Sequence, residues 1–264
     1  MTYLNAIILG AVQGLAEFLP VSSSGHLVVL QHFMNLEDIP LLFDILLHIA
    51  TLFVVFIIFR ERIWRVIKAL IHYAAGRRED DDRENIRLFL IILLATVFTG
   101  GLGLFLEKLG LEKNVKLVFS LFIVTGVILL ISRMFKGEKD YRSSGVKQGI
   151  ITGIAQGIGV LPGISRSGIT ISAALFSGMS REQAGEFSFL LSIPAILGAL
   201  ILQFKDAGSL FEDISIPVVA AGMISAFIVG LISLKILLKL IKKGNLFYFS
   251  FYLIPLGIAG LIFY

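Results

Sequence analysis

Two stretches decide how this chain folds: IILGAVQGLAEFLPVSSSGH, which runs from Ile7 to His26, and IITGIAQGIGVLPGISRSG, which runs from Ile150 to Gly168. Both open on Ile-Ile-x-Gly-x-x-Gln-Gly and continue through Leu-Pro into a turn rich in serine and glycine. Proline and glycine interrupt both stretches where a membrane helix would be continuous. Broken helices at matching positions of two halves are typical of a site near the membrane midplane. The repeats therefore predict one shared site.

The composition predicts an all-α integral membrane protein. Of the 264 residues 56% are hydrophobic, and the mean hydropathy is +0.91. A helix needs about 20 apolar residues to cross a hydrocarbon core of about 30 Å. We expect six such spans, and two further apolar stretches, at about 2–34 and 146–179, which form re-entrant helical hairpins. The expected spans are 41–59, 86–106, 116–134, 182–204, 215–237 and 246–264.

The distribution of charge predicts the orientation. Basic residues cluster in three predicted loops, 60–87, 136–147 and 235–243, which the positive-inside rule places in the cytoplasm. Both termini then lie outside, and the two hairpins enter from opposite sides. We therefore expect one polytopic domain, 1–264, with an inverted-topology repeat (repeat one about 1–134, repeat two about 146–264). The opposite connections are mixed to acidic and carry Glu37, Asp38, Glu107, Lys108, Glu112, Lys113, Lys205, Asp206, Glu212 and Asp213.

Other features exclude whole classes of function. The chain has no cysteine, so it has neither a disulfide framework nor a thiolate metal site. Its net charge of +4 is typical of membrane topology rather than of a nucleic-acid partner.

Ionisable side chains inside the apolar hairpins are candidates for function, because burying a charge in a membrane is costly. Glu17 and His26 lie in the first hairpin and Arg166 lies in the second. Gln13 precedes Glu17 by four residues, so the two share a helix face. Ser23 lies in the turn after the proline, where free helix amides form an anion site.

The second hairpin supplies complementary groups. Ser165, Ser167 and Thr170 carry hydroxyls, and Arg166 is a bidentate donor suited to phosphate. If the hairpins meet at their tips, Arg166 joins the carboxylate, imidazole and hydroxyl of the first hairpin. Such a set suits phosphoryl transfer, in which positioning and charge stabilisation dominate.

Structural alternatives remain for most of these residues. Glu17 is either a functional acid or one half of a structural bridge with Arg166, and His26 is either a proton carrier or a donor to a carbonyl. We expect helix capping to be the main role of Ser22, Ser24 and Ser167. His48 and Asp44 either line the entrance to the pocket or lie inert at the interface.

The motifs Gln13-Gly14-x-x-Glu17-Phe18-Leu19-Pro20-Val21-Ser22-Ser23-Ser24-Gly25-His26 and Pro162-Gly163-Ile164-Ser165-Arg166-Ser167-Gly168-Ile169-Thr170 resemble those of the undecaprenyl-diphosphate phosphatase, or bacitracin-resistance, family. The resemblance covers essentially the whole chain. It implies hydrolysis of a polyprenyl diphosphate to the monophosphate at the outer face of the bacterial cytoplasmic membrane. That reaction supplies carrier lipid for peptidoglycan synthesis and confers bacitracin resistance.

The resemblance also implies residue roles. Ser23 matches the nucleophile, Glu17 the acidic residue, His26 the proton-transfer residue and Arg166 the diphosphate binder; Gln13, Ser22, Ser165, Ser167 and Thr170 match substrate-binding or supporting positions. It implies a divalent cation, Mg or Ca, for which Glu17 is the only strong protein ligand, since Gln13 stands where many members carry glutamate. The competing interpretation is a polyprenyl-phosphate flippase or secondary transporter. Whether the chain forms a homodimer is open.

Overall fold

The protein is all-helical in the computed structural model, which describes residues 1–36, 39–77, 79, 81–108, 114–203 and 214–264. These residues form eleven α-helices and one 3₁₀-helix, Leu246–Phe249. Most charged residues predicted for the non-basic connections lie outside the described residues: Glu37, Asp38, Glu112, Lys113, Lys205, Asp206, Glu212 and Asp213. The helices are α1 (Tyr3–Phe18), α2 (Ser23–Phe33), α3 (Leu41–Ile58), α4 (Arg60–Ala74), α5 (Asp82–Glu107), α6 (Val115–Ser132), α7 (Val146–Ile158), α8 (Arg166–Phe176), α9 (Arg181–Gln203), α10 (Ile216–Lys243) and α11 (Ser250–Phe263).

The described residues contain six segments that are long and apolar enough to span a membrane, which confirms the predicted number. The chain is therefore a multi-pass membrane protein. The largest departure from the predicted bounds is in α10, which continues to Lys243 instead of residue 237. Leucine, isoleucine and lysine favour helix there, and Gly244 ends it in the left-handed conformation with φ 73°. The segments are Leu41–Ile58, Asp82–Leu106, Val115–Ser132, Arg181–Leu202, Ile216–Lys243 and Leu246–Phe263.

Helix α4 corrects one prediction. The sequence predicts a loop from Arg60 to Arg87, but residues 60–74 are helical and α5 begins already at Asp82. The many charged residues of this segment favour a solvent-exposed loop. The apolar residues between those charges nevertheless recur at helical spacing, as Ile63, Val66 and Leu70 show, and together they make an amphipathic helix.

The predicted breaks in the two apolar stretches are confirmed. Helix α1 ends at Phe18 because Pro20 forces Leu19 into an extended conformation with ψ 139°. Helix α7 ends at Ile158, and the chain turns at Gly163, whose φ of +100° favours glycine. Serine restarts both helices: Ser22 caps α2 and Ser165 caps α8, each accepting from a backbone N–H three residues later.

The two breaks lie against each other in the middle of the molecule. The amide of Gly163 donates to Ser22 Oγ at 3.0 Å, and Ser167 Oγ donates to the carbonyl of Phe18 at 3.1 Å. A Cβ on Gly25 would lie 2.8 Å from the Gly163 nitrogen, so only glycine permits this approach. The main apolar core surrounds the junction and includes the fully buried rings of Phe18, Phe122, Phe187 and Phe189.

Helices α1 and α7 pack closely against long helices through glycine. A Cβ on Gly10 would lie 2.1 Å from the carbonyl oxygen of Gly222 in α10, and a Cβ on Gly153 would lie 2.5 Å from that of Ala95 in α5. Gly10 and Gly153 occupy equivalent positions in the two repeats. The first helix of each repeat thus packs on a long helix of the other repeat.

We expect Gly10→Ala to destabilise the protein by about 1–3 kcal/mol, because the new methyl group must push α1 and α10 apart. The measurement is the unfolding temperature of the purified protein in detergent. Gly101→Ala is the matched control: it lies inside a helix, and its Cβ would meet no atom within 4 Å. Equal unfolding temperatures for the two variants would contradict this account of the packing.

Candidate functional site

A cavity of about 440 Å³ lies beside the junction of the two breaks. Its polar wall includes the first residues of α2 and α8; the N-terminal half of α3 and the C-terminal halves of α5 and α9 complete it. The first amides of a helix have no intrahelical acceptor, so two positive helix ends adjoin the same space and favour an anion. The polar lining residues are Glu17, Ser22, Ser23, Ser24, His48, Thr96, Thr99, Gln156, Ser165 and Arg166.

Glu17 is the centre of the polar wall. It lies in the last turn of α1 and is only 5% exposed. Its Oε2 accepts hydrogen bonds from Ser23 Oγ at 2.7 Å and from Gln13 Nε2 at 3.0 Å, while its Oε1 pairs with Arg166. Arg166 thus supplies the countercharge that a buried carboxylate requires. The ion pair links the two repeats directly.

Ser23 is the first residue of α2, and it is 9% exposed. Its hydroxyl donates to Glu17 Oε2, so the proton of the hydroxyl points at a carboxylate. An adjacent base activates a serine as a nucleophile, and this contact has the required geometry. Ser24 also lines the cavity, and it is more exposed than Ser23.

Arg166 is the first residue of α8, and its side chain is 17% exposed. One terminal nitrogen, Nη2, bonds to Glu17. The other, Nη1, is buried and has no hydrogen-bond partner among the described residues. A buried donor without an acceptor is costly, and a phosphate oxygen entering the cavity would satisfy it.

His48 lines the cavity, which resolves the alternative left open for it. Its Nε2 lies 3.4 Å from Glu17 Oε2, and its Nδ1 lies 2.8 Å from the carbonyl of Asp44 one turn earlier. That carbonyl makes Nδ1 the protonated nitrogen and leaves Nε2 as an acceptor in the neutral ring. Asp44 does not line the cavity; Gln31 Nε2 donates to its two oxygens at 2.9 and 3.2 Å.

His26 does not lie with Glu17, Ser23 and Arg166, contrary to the prediction that its side chain joins them in one site. Its Nδ1 lies 2.8 Å from the carbonyl of Ser22, and its Nε2 lies 2.8 Å from Tyr252 Oη. The ring also stacks on Tyr252 and lies beside Phe122. Aromatic residues of α6 and α11 thus hold the imidazole, which is absent from the cavity lining. Its geometry suits positioning of the start of α2.

The five predicted substrate-binding residues divide into two groups. Ser22 and Ser165 line the cavity, but their hydroxyls accept from backbone amides as helix caps. Gln13, Ser167 and Thr170 are buried and do not line it. The expectation that Ser167 acts as a cap is wrong, since its hydroxyl bonds instead to the Phe18 carbonyl. Thr170 donates to the Arg166 carbonyl at 2.7 Å.

Sequence reasoning missed four polar residues at the site: Thr96, Thr99, Thr125 and Gln156. Gln156 and Thr99 line the cavity, and Gln156 Nε2 donates to the carbonyl of Leu191 at 3.3 Å. Thr125 connects α6 to the second break, donating to the Gly163 carbonyl at 2.8 Å and accepting from the Ser165 amide at 3.1 Å. The repeat contained a signal for Gln156, because it is the counterpart of Gln13. No local pattern marks Thr99 or Thr125.

The residues around Glu17 do not fit a resident divalent cation. Magnesium and calcium prefer several oxygen ligands, and Glu17 is the only carboxylate among the described lining residues. Both of its oxygens are already bonded to neighbouring side chains, one of them to Arg166. A cation held by Glu17 would have to displace at least one of these side chains.

Comparison with known proteins matches this sequence to a family. The family described as "Bacitracin resistance protein BacA" matches residues 6–259. A protein of Treponema denticola named undecaprenyl-diphosphatase is 50% identical over 264 residues, covering 100% of this chain and 98% of its own. Proteins with the same name from Borrelia recurrentis and Carboxydothermus hydrogenoformans are 41% and 42% identical, each over 99% of this chain and over 98% and 97% of their own. This chain therefore belongs to the BacA family of bacitracin resistance proteins.

Proposed function

We propose that this chain hydrolyses undecaprenyl diphosphate to undecaprenyl phosphate and inorganic phosphate, the activity named for its relatives. One contact carries the proposal: Ser23 donates its hydroxyl proton to Glu17 beside Arg166, at the meeting of two helix N-termini. A nucleophile, a base and an anion clamp in one cavity suit phosphoryl transfer. The product recycles carrier lipid for peptidoglycan synthesis, and the activity confers bacitracin resistance.

The membrane topology we propose has six spans and two re-entrant hairpins, α1–α2 and α7–α8, in one domain, 1–264. Helices α1 and α7 have 16 and 13 residues, fewer than the roughly 20 that a bilayer requires. The reciprocal packing of Gly10 on α10 and Gly153 on α5 supports an inverted repeat of 1–134 and 146–264. A homodimer stays a prediction.

We propose that the cavity opens to the outer face of the bacterial cytoplasmic membrane. It adjoins the start of α3 and the ends of α5 and α9. Basic residues lie near the opposite ends of these helices, as Arg87 of α5 and Arg181 of α9 illustrate, and also in α4 and at the end of α10. The positive-inside rule places that basic end in the cytoplasm, which leaves the cavity facing outward.

The first chemical step follows from the contacts of Glu17. The substrate diphosphate competes for Arg166, and the release of Glu17 from its ion pair makes the carboxylate a better base. Ser23 Oγ then attacks the terminal phosphorus while its proton passes to Glu17 Oε2, or through it to Nε2 of His48. The bond between that phosphorus and the bridging oxygen breaks, and polyprenyl phosphate leaves.

Hydrolysis completes the cycle. Water attacks the phosphorus of the phosphoserine and gives its proton to whichever of Glu17 and His48 is still free. The bond between phosphorus and Ser23 Oγ breaks, and Oγ recovers the proton that it lost in the first step as inorganic phosphate leaves. Arg166 and the free amides at the starts of α2 and α8 stabilise the charge on the transferred oxygens in both steps. Direct attack by water without a phosphoserine is the competing route. A divalent cation would enter with the substrate phosphates rather than reside on Glu17.

Release of inorganic phosphate distinguishes the proposed phosphatase from the alternative, a transporter. Purified protein in detergent, with no gradient, should release inorganic phosphate from undecaprenyl diphosphate, and its overproduction should raise bacitracin tolerance. A transporter would bind the lipid and release none. Binding without phosphate release would overturn the proposed function.

We expect His48→Gln to lower kcat about tenfold with little change in KM, because glutamine keeps a polar side chain beside Glu17 but cannot take up the proton. Steady-state kinetics of phosphate release measure kcat and KM. Thr96→Ala, which alters another lining residue outside the Glu17 group, is the control. A native kcat in His48→Gln would remove the histidine from the proton path.

A further inference from the structure

A second cavity, of about 390 Å³, lies at the basic end of the molecule, among the α3–α4 junction, the start of α9 and the end of α10. Its floor is apolar and its rim is charged. None of its lining residues contributes to the cavity around Glu17. The lining residues are Ile58, Phe59, Leu238 and Ile241 on the apolar side, and Glu61, Arg62, Arg65, Glu182, Glu186, Lys239 and Lys242 on the charged side.

The charges on the rim do not balance. Arg62 pairs with Glu186 at 2.7 Å, and Lys242 pairs with Glu182 at 2.7 Å. The third carboxylate, Glu61, lies 3.9 Å from Arg60, which is outside the lining.

Two cations are left without a carboxylate within the part of the chain that the structure describes. Arg65 makes only a bond to the backbone carbonyl of Glu61 at 3.4 Å, and Lys239 makes no ion pair there. Two free positive charges beside an apolar floor fit a molecule with an anionic head and an apolar tail.

Helix α4 places this cavity at the level of the lipid headgroups. Trp64, Ile67 and Ile71 share one helix face and are 63%, 41% and 57% exposed. Arg62 and Arg65 lie on the opposite face and line the cavity. A basic helix with an exposed tryptophan and an apolar stripe is typical of a helix lying in the membrane interface.

We propose that the second cavity binds the phosphate of an anionic phospholipid, such as phosphatidylglycerol, through Arg65 and Lys239, with the acyl chains over Ile58 and Leu238. Basic pockets between membrane helices are known to hold anionic lipid headgroups. The phosphate lies in the bilayer leaflet on the basic side of the protein. This site is separate from the chemistry around Glu17.

A tryptophan in the cavity lining provides the test. Trp64, the only tryptophan of the chain, lies on the far face of α4, so Phe59→Trp with Trp64→Phe moves the reporter to a lining residue. The full-length protein is placed in nanodiscs that contain brominated phosphatidylglycerol or brominated phosphatidylcholine, and the quenching of tryptophan fluorescence is titrated. One nearby cation contributes about a fivefold preference for the anionic lipid. We therefore expect a preference of roughly 30-fold, which Arg65→Gln with Lys239→Gln should reduce to near one.

Two further variants test the assignment. Lys136→Gln with Lys147→Gln removes the same charge outside the cavity and should keep the preference, whereas an equal loss would overturn the site. Arg65→Lys with Lys239→Arg keeps both charges and should also keep it. If dissolved inorganic phosphate relieves the quenching, the ligand is a soluble anion and the lipid assignment is wrong. A reporter protein with Arg65 and Lys239 intact that does not distinguish the two lipids would likewise overturn it.

Discussion

Replacing Ser23 by alanine is expected to lower kcat for phosphate release by about 10³-fold or more, because no other hydroxyl donates to Glu17 among the described residues. The substrate should still bind, since Arg166 and the helix amides remain. The loss should therefore fall on kcat and leave KM nearly unchanged. Single-turnover phosphate release and equilibrium binding of the lipid diphosphate, both in detergent, measure the two effects.

Ser24→Ala is the matched control for this substitution. Ser24 is adjacent to Ser23 at the start of α2 and lines the same cavity, but it makes no hydrogen bond to Glu17 in the structure. Its activity should stay within a few-fold of the native value. If Ser23→Ala retains normal turnover, water attacks the substrate directly and the phosphoserine route is wrong.

Arg166→Lys is expected to lower kcat/KM by about 10²–10³-fold although the positive charge is kept. The guanidinium reaches Glu17 with Nη2 and offers Nη1 to a ligand, and a lysine ammonium cannot hold two oxygens in one plane. The charge still neutralises Glu17, so the protein should fold. Steady-state kinetics together with the unfolding temperature separate the two effects.

Arg142→Lys is the control for this variant. Arg142 pairs with Glu84 and Asp81 near the start of α5, away from the cavity at the far end of that helix. Its substitution should leave phosphate release unchanged. An Arg166→Lys enzyme with native kcat/KM would show that a point charge suffices and would remove the two-pronged contact from the mechanism.

The sequence predicted much of the fold because a membrane-spanning helix requires a continuous run of apolar residues, which can be recognised in the sequence. Six spans follow from runs of apolar residues, and the breaks follow from Pro20 and Gly163, which act on the backbone locally. Helix α4 was not predicted, because its charges masked an amphipathic pattern. The site was predicted in part: Glu17 and Arg166 are conspicuous because charge in an apolar helix is costly.

By itself, the sequence determined that two broken repeats exist and which polar residues they carry. The tertiary structure alone decided which of those residues meet. It brought His48 of α3 to Glu17 and held His26 against Tyr252, although His26 is much closer to Glu17 along the chain. The physical reason is that helix propensity and hydropathy depend on residues that are close together in the sequence. Contacts across the core depend instead on how helices pack, and here glycine-lined helices from opposite repeats set that packing.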